Sequence, residues 1–350
     1  MRTWQQRYRD SALTIASLVL VLGFSPKPAA AQYRVMGLVS NEAGRAPWTD
    51  PNLQNPWGIA FSPTGPFWIS DNTTGLSSFY TGAGVSEGMI TVPPAPGNSV
   101  GSPTGAVYNS TSSFMVTQNG QSGAAIFLFD TLDGTISGWA PGVNASEAVI
   151  AVDNSESGAV YTGLAIAAVG ANSYIYAADS WNNVVDIYDG NFNLVGQFTD
   201  NTVPAGFTPF NVQAINGQLF VTFAAISGGP GGYVDIFDAS GNLVSRFASG
   251  GALNQPWGVA MAPSNANFGV ASGAILVGNN TNSGQILAFD ASTGKFRGEL
   301  KDVSGKTIHI PQLWALAFGA GGSKNGPTNE LFFTAGPNNG ADGFFGVIIP

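Results

Sequence analysis

Apolar residues occur along this chain in short runs that are separated by Gly, Asn, Asp and Ser. One run, PWGIAF at 56–61, returns as PWGVAM at 256–261 and as LWALAF at 313–318. The runs are rich in β-branched and aromatic residues, and after residue 31 no long stretch has the 3.6-residue period of an amphipathic helix. The pattern predicts short strands joined by tight turns, and therefore an all-β protein.

The apolar runs form six repeating units. Aligned on Trp57, the equivalent positions are Thr104, Thr162, Phe210, Trp257 and Trp314, and neighbouring positions lie 47–58 residues apart. Periods of about 40–50 residues are typical of β-propellers, whose blades have four strands each. The sequence predicts a single six-bladed β-propeller domain over residues 32–350, with an inner strand at the start of each unit.

The last blade is predicted to be completed by the first strand of the chain. The sixth unit stops at Pro350 after three strands, and the apolar run 33–40 can supply the fourth strand and so remove an open sheet edge. In the second unit we take 113–119 as the second strand and 125–131 as the third. Residues 136–160 then form either a long fourth strand with an insertion or a seventh blade.

The first 31 residues are predicted to be a secretory signal peptide. A basic start precedes the apolar stretch 11–24, and Ala29 and Ala31 match a small-residue cleavage site. A transmembrane anchor is the alternative, but the apolar stretch is shorter than the ~20 residues that a spanning helix needs. We therefore expect an exported, monomeric protein of the periplasm or the extracellular space, with no membrane span after cleavage.

The charge of the chain excludes one class of partner. Charged residues make up only 9% of the chain, and no Lys or Arg occurs between Arg45 and Arg246. A nucleic-acid-binding protein needs cations that neutralise phosphates, so we expect no nucleic-acid partner. The absence of Cys also rules out disulfides and thiolate metal sites.

Several longer phrases resemble one family of proteins. TDPNLQNPWGIAFSPTGPFWISDN (49–72), TPFNVQAINGQLFVTFA (208–224), PWGVAMAP (256–263) and ELFFTAGPNNGADGFFGVI (330–348) are similar to uncharacterised exported bacterial β-propeller proteins with NHL-like repeats. Some members of that family end in a PEP-CTERM sorting tail, which is absent here. The resemblance implies the propeller fold, and it offers no activity that can be transferred residue by residue.

Candidate binding residues collect on one face of the predicted disc. Strand direction alternates within a blade, so the starts of the inner strands share a face with the turns between second and third strands; we call it the tryptophan face. The candidates there are Trp57, Asp71, Asn72, Asn119, Asp179, Asn182, Phe210, Trp257, Asn279, Trp314 and Asn338. Aromatic rings beside amides suit a neutral polar ligand such as a sugar. Alternatively, the tryptophans fill space near the axis and the Asx residues form turns.

The opposite face has recurrent aspartates, at 130, 189, 238 and 290. Each precedes a short polar connection, and an Asp side chain accepts hydrogen bonds from backbone N–H groups in such turns. We therefore expect turn caps and no metal site. We also expect no cofactor, although the turn 338–343 has oxygens of the kind that bind Ca²⁺.

Two functions follow from these residues. The first is a non-catalytic scaffold that binds a glycan or a protein partner on the tryptophan face. The second is an NHL-like enzyme, a lyase or a hydrolase, in which His309, Asp71 and Asp179 act as acid–base groups. A structural component of an envelope or matrix is a third alternative.

Overall fold

Six antiparallel sheets form the blades of a β-propeller in the computed structural model, which describes residues 33–265 and 267–350. Each inner strand contacts the inner strands of both neighbouring blades, and the first inner strand contacts the last, so the ring is closed. The prediction of six four-stranded blades is confirmed, and the alternative of seven blades is wrong. The predicted signal peptide, residues 1–31, lies outside the described residues.

The strands of the first three blades, from the axis outwards, have the following bounds. Blade 1 contains β3 (Pro56–Ala60), β4 (Phe67–Asp71), β5 (Leu76–Tyr80) and β6 (Ser86–Thr91). Blade 2 contains β7 (Pro103–Tyr108), β10 (Phe127–Thr131), β11 (Thr135–Trp139) and β12 (Val149–Asp153). Blade 3 contains β13 (Tyr161–Val169), β14 (Asn172–Asp179), β15 (Val184–Tyr188) and β16 (Leu194–Phe198).

The other three blades follow the same order. Blade 4 contains β17 (Phe207–Ile215), β18 (Gln218–Ala225), β19 (Tyr233–Asp238) and β20 (Leu243–Ser249). Blade 5 contains β21 (Pro256–Met261), β22 (Ala274–Asn279), β23 (Ile286–Asp290) and β24 (Phe296–Glu299). Blade 6 contains β25 (Leu313–Phe318), β26 (Leu331–Ala335), β27 (Phe344–Ile349) and β1 (Arg34–Ser40). Two 3₁₀ turns, Ser155–Ser157 and Gly269–Ala271, are present, and among the described residues no helix is long and apolar enough to cross a membrane.

The first strand of the chain closes blade 6, as predicted. Strand β1 pairs antiparallel with β27 from Arg34↔Ile349 to Ser40↔Phe344, with a bulge after Gly37. Its Val39 is fully buried, and this burial of apolar surface favours attachment of the strand to the edge of the blade. A short strand, β2 (Trp48–Thr49), then pairs parallel to β1 and covers the new edge.

Blade 2 departs from the predicted strand assignment. Residues 113–119 do not form its second strand; they enter a separate hairpin of β8 (Met115–Gln118) and β9 (Gln121–Ala124), which we call the blade 2 hairpin. The true second strand is β10, and residues 136–160 supply parts of the third and fourth strands. Asn119 and Gly120 both have positive φ and form the turn of the hairpin. Its strands alternate in the same way as a blade strand, which is why the sequence pattern alone assigns residues 113–119 to the blade.

Inner-strand glycines allow the blades to approach each other closely. A Cβ at Gly58 would lie 2.5 Å from the carbonyl oxygen of Thr104 in the next blade, and one at Gly258 would contact the carbonyl oxygen of Trp314. Because the ring is narrowest at the axis, no side chain fits between these strands. Farther out, fully buried aromatic residues fill the space between blades; the rings of Phe67 and Phe332, for example, have centroids 4.4 Å apart.

Candidate functional site

Three tryptophans close the central axis. The rings of Trp57 and Trp314 are stacked with centroids 3.5 Å apart, and Trp257 packs edge-on against both, at 6.1 and 5.7 Å. Phe210 lies against the same cluster, 6.4 Å from Trp57. The three indoles are at most 7% exposed, so they form a plug at the mouth of the axis. We call Trp57, Trp257 and Trp314 the tryptophan plug.

Backbone geometry before each inner strand positions the plug. Asn55, Gln255 and Gln312 all have φ near +50°, the left-handed conformation that bends the chain into the strand. The side chain of Asn55 accepts a hydrogen bond from Trp314 Nε1 at 3.1 Å. Gln255 Nε2 donates to the carbonyl oxygens of Ala225 and Gly229 in blade 4. The amide of Asn55 thereby links the Trp57 strand to Trp314, and the amide of Gln255 links the Trp257 strand to blade 4.

The space beyond the plug is too small for an organic ligand. Trp257 Nε1 donates to the carbonyl oxygen of Thr162 at 2.9 Å, which holds the ring across the axis. The axial cavity has a volume of about 20 Å³ and is lined by inner-strand residues such as Gly58, Gly105 and Gly258. A cavity of this size holds about one water molecule. The structure therefore has a sealed axis in place of an open funnel.

The predicted asparagines of the tryptophan face make hydrogen bonds within the protein. Asn72 Nδ2 donates to Pro103 O at 3.2 Å, and its Oδ1 accepts from Asn55 Nδ2. Asn279 accepts from Asn254 N and donates to Ala252 O. Asn182 Nδ2 donates to Asp179 Oδ2 at 2.7 Å. These amides tie strands and loops together, which agrees with the turn interpretation of the same residues.

The acid–base candidates Asp71, Asp179 and His309 belong to three different blades or loops, and the two aspartates are buried whereas the histidine is exposed. Asp71 is fully buried at the end of β4, where its Oδ2 accepts from Ser78 N at 3.1 Å; burial raises the pKa of this carboxyl well above its usual range. Asp179, in blade 3, accepts from the backbone N–H groups of Val160, Trp181 and Asn182. His309 is exposed outside β25, and its Nδ1 lies 3.0 Å from Ser283 Oγ.

Two predicted positions are wrong because of the blade 2 hairpin. Asn119 lies at the tip of that hairpin, which packs against the outer strands β11 and β12, so it is not at a turn between second and third strands of the blade. Asp130 lies near the end of the second strand β10 and caps no turn on the opposite face. Its Oδ1 accepts from Thr104 Oγ1 at 2.7 Å and from Gly105 N. Burial raises its pKa to about 6, against the lowering effect of these hydrogen bonds.

The other recurrent aspartates are confirmed as turn caps. Asp238 Oδ1 accepts from Ser240 N and Asn242 N, and Oδ2 accepts from Asn242 Nδ2. The Asn242 side chain and backbone thereby lower the pKa of Asp238. Asp189 and Asp290 make the same kind of turn.

The carboxylate of the turn 338–343 also accepts hydrogen bonds from within the protein. Asp342 Oδ1 accepts from Asn41 Nδ2 at 3.3 Å, and Asp342 Oδ2 accepts from Asn338 Nδ2. Asn338 and Asn339 both have positive φ, as tight turns require. Within residues 33–265 and 267–350, no group of three or more His, Asp or Glu side chains has the arrangement of a metal site.

An accessible groove lies beside the plug, between blades 3 and 4 on the tryptophan face. It has a volume of about 280 Å³ and is lined mainly by apolar atoms, with Phe210 and Ala224 among them. Trp181 and Ile226 border it and are 74% and 71% exposed. We call it the Trp181 groove. The sequence places Trp181 on the tryptophan face, in the same turn as Asp179 and Asn182, but a tryptophan in a turn has no periodic pattern that separates exposed from buried. Ile226 is absent from the candidates chosen from the sequence.

Comparison with known proteins identifies relatives over most of the chain. "Uncharacterized protein R648" of Acanthamoeba polyphaga mimivirus is 32% identical over 347 residues, which cover 94% of this chain and 83% of the relative. "Uncharacterized protein L690" of the same virus is 30% identical over 343 residues, covering 93% and 88%. The chain belongs to the family of these two mimivirus proteins. No family model matches it. Because these relatives are viral, the bacterial and exported origin implied by the resemblance stays a prediction.

Solved structures share the β-propeller fold of this chain. A catalytically inactive His-to-Ala variant of virginiamycin B lyase from Staphylococcus aureus, with quinupristin, superposes with a TM-score of 0.53 at 12% identity, covering 91% of this chain and 100% of the lyase. A protein of unknown function from Bacteroides thetaiotaomicron also has a TM-score of 0.53, at 11% identity, covering 91% and 76%. At these identities the likeness shows the β-propeller fold alone.

Proposed function

We propose that this protein is a non-catalytic binding scaffold, and that a protein partner inserts apolar side chains into the Trp181 groove. The observation that carries the proposal is the exposure of Trp181 and Ile226, which are 74% and 71% exposed on either side of an apolar groove. Exposed tryptophan and aliphatic side chains around a pocket are typical of the anchor points of protein interfaces.

The polar atoms of the groove favour a protein partner over a glycan at this place. Ser180 Oγ donates to Val160 O at 3.2 Å, and Thr208 Oγ1 donates to Ser180 O at 2.6 Å. Gln255 Nε2 donates to two carbonyl oxygens of blade 4. A sugar needs many polar partners, and here the lining is mainly apolar and its hydroxyl donors are engaged within the protein, whereas an apolar side chain needs only the ring and aliphatic surfaces.

Local hydrogen bonds hold the backbone under Trp181. The backbone N–H of Trp181 donates to Asp179 Oδ1 at 3.2 Å, and a Cβ at Gly158 would lie 3.5 Å from its indole nitrogen. The loop that contains Gly158 is held by Asn154, whose Nδ2 donates to the hydroxyls of Tyr161 and Tyr188 at 2.7 Å. A positioned ring loses little conformational entropy on binding, which favours its use as an anchor.

Selection of peptides from a displayed random library tests this function. We expect selected peptides to contain aromatic or branched aliphatic residues, and their Kd to rise at least ten-fold for Trp181→Ala and for Ile226→Ser. Val244→Ser is the matched control, because Val244 is 52% exposed on the outer strand β20, away from the groove. Selected peptides that bind Trp181→Ala as tightly as the wild type, or a failure to enrich any peptide, would overturn the proposal.

The enzyme alternative is less well supported. His309 belongs to an exposed loop and contacts Ser283, whereas Asp71 and Asp179 are buried and accept backbone hydrogen bonds. Acid–base catalysis needs groups that can reach a common substrate proton. The fold likeness to virginiamycin B lyase says nothing about such groups.

A further inference from the structure

A second cleft lies on the opposite face, between the blade 2 hairpin and blade 3. It has a volume of about 330 Å³ and, unlike the Trp181 groove, is lined mainly by polar atoms. Its walls include Ser112, Met115, Asn172, Ser173, Tyr174 and Asn191. We call it the polar cleft. It stands on other residues than the Trp181 groove and does not depend on the function proposed there.

The blade 2 hairpin forms one wall of the polar cleft and is firmly attached. Phe114 N donates to Gly190 O of blade 3 at 2.7 Å, and the rings of Phe114 and Phe192 have centroids 5.4 Å apart. Phe114 is fully buried with φ of 61°, a conformation that is uncommon for a bulky residue and costs about 1–3 kcal/mol. The surrounding contacts impose this conformation, and they hold the two walls of the cleft at a set separation.

Side-chain hydroxyls and amides in the cleft have no protein partners. Among the described residues, none hydrogen-bonds to the hydroxyls of Ser112 and Ser173 or to the side-chain amides of Asn172 and Asn191. Each hydroxyl and each amide can both donate and accept. A ligand that covers them must offer donors and acceptors together, because a polar group buried without a partner costs roughly 1–3 kcal/mol.

The charge of the cleft selects a neutral ligand. The chain has no Lys or Arg between Arg45 and Arg246, and all the residues that line the cleft come from that stretch. Asp189, at the edge of the cleft, already accepts from Asn191 N, Asn193 N and Asn193 Nδ2. An anion would therefore meet no cation and would be repelled by this carboxylate, whereas a metal cation would meet a carboxylate whose oxygens are engaged.

We propose that the polar cleft binds a neutral saccharide. The hydroxyls and amides pair with the sugar hydroxyls, and the side chain of Met115 covers an apolar sugar face. Met115 is 51% exposed, so it is free to make that contact. The volume lies at the small end of the ~300–1,000 Å³ range of small-molecule sites, which corresponds to one or two sugar rings.

An array of neutral mono- and oligosaccharides, probed with the full chain, tests the proposal. We expect the wild type to bind at least one neutral saccharide, and we expect the double variant Asn172→Ala/Ser173→Ala and the variant Asn191→Ala each to weaken that binding at least ten-fold. Asn172 and Asn191 are exposed, so both proteins are expected to fold, as circular dichroism checks.

Two control variants separate this site from others. Gln218→Ala changes the residue of blade 4 that corresponds to Asn172, since Ile215↔Gln218 repeats the pairing Val169↔Asn172, and it should bind the saccharide as the wild type does. Trp181→Ala should also leave saccharide binding unchanged, because it alters only the Trp181 groove. An array on which the wild type binds no neutral saccharide, or equal binding by the cleft variants, would overturn the proposal.

Discussion

The indole ring of Trp57, in the first inner strand, is stacked on that of Trp314, in the last, with ring centroids 3.5 Å apart and planes inclined at 19°. The contact joins blade 1 to blade 6 across the closure of the propeller. With Trp257 it seals the axis, so residues that the sequence offers as a binding surface are part of the core.

We expect Trp57→Ala to lower the free energy of unfolding by about 3–5 kcal/mol, because it removes a buried ring and leaves a cavity beside Trp314. Trp181→Ala is the matched control: its ring is 74% exposed, so the loss should stay within about 0.5 kcal/mol. Urea unfolding followed by circular dichroism measures both values. Similar small losses for the two variants would show that the plug does not carry the stability of the axis.

The buried carboxyl of Asp130 should make stability depend on pH. Its pKa in the folded protein is about 6, above the value of about 3.9 in an unfolded chain, so the native state binds more protons between these values. The contribution of Asp130 to the free energy of unfolding is therefore complete below about pH 4 and is lost as the pH rises through 6. A difference of two pKa units corresponds to a loss of roughly 3 kcal/mol. Unfolding midpoints in urea from pH 4 to pH 8 measure this slope.

The variant Asp130→Asn isolates the contribution of Asp130. Asparagine keeps an oxygen that accepts from Thr104 and Gly105 but does not titrate. Other buried carboxyls, such as Asp235, whose pKa burial also raises to about 6, contribute to the wild-type slope in the same direction. The variant should show a shallower slope, and curves that run parallel for the two proteins would contradict the assignment.

Arg246 should stabilise blade 4 through two carboxylates. Its Nη2 lies 2.6 Å from Asp200 Oδ2 and its Nε lies 2.9 Å from Asp235 Oδ1, while the guanidinium lies 4.9 Å from the ring centre of Tyr233. Arg246→Met leaves the buried Asp235 without a cation, so we expect a loss of about 3 kcal/mol. The loss should be larger at pH 8 than at pH 5, where Asp235 takes up a proton.

Thermal and urea unfolding at the two pH values measure the effect of Arg246→Met. Arg297→Met is the control, because Arg297 is exposed and donates to the carbonyl oxygen of Val270. An equal, small effect of the two substitutions would show that the Asp200–Arg246–Asp235 group contributes no more than a surface ion pair.

Removal of residues 1–40 should open the propeller. Strand β1 supplies the fourth strand of blade 6, and its loss exposes the edge of β27 and the pocket that buries Val39. We expect oligomers and a lower unfolding temperature, measured by size exclusion with light scattering and by circular dichroism. The control lacks only residues 1–32 and should stay monomeric. A monomeric 41–350 chain with an unchanged unfolding temperature would contradict the closure by β1.

The fold was predictable because each blade is a local pattern repeated. The run around Trp57 and the run around Trp257 have the same alternation. The sixth unit has no fourth strand after 344–349, and the apolar run 33–40 is the segment that can supply it. The assignment failed in blade 2, where the residues around Asn119 alternate as a blade strand does. A hairpin and a pair of blade strands have the same short-range signature, and only pairing with β7 distinguishes them.

The sequence by itself determined the repeating unit, the order of the strands outside blade 2 and the closure of the ring, because these follow from turn residues and alternating side chains within short segments. The tertiary structure alone decided which aromatic residues are available to a partner. Trp57 and Trp181 both lie at strand ends, but the first is covered by Trp314 from the far end of the chain and the second extends into solvent. Exposure depends on contacts between distant segments, and no local pattern records them.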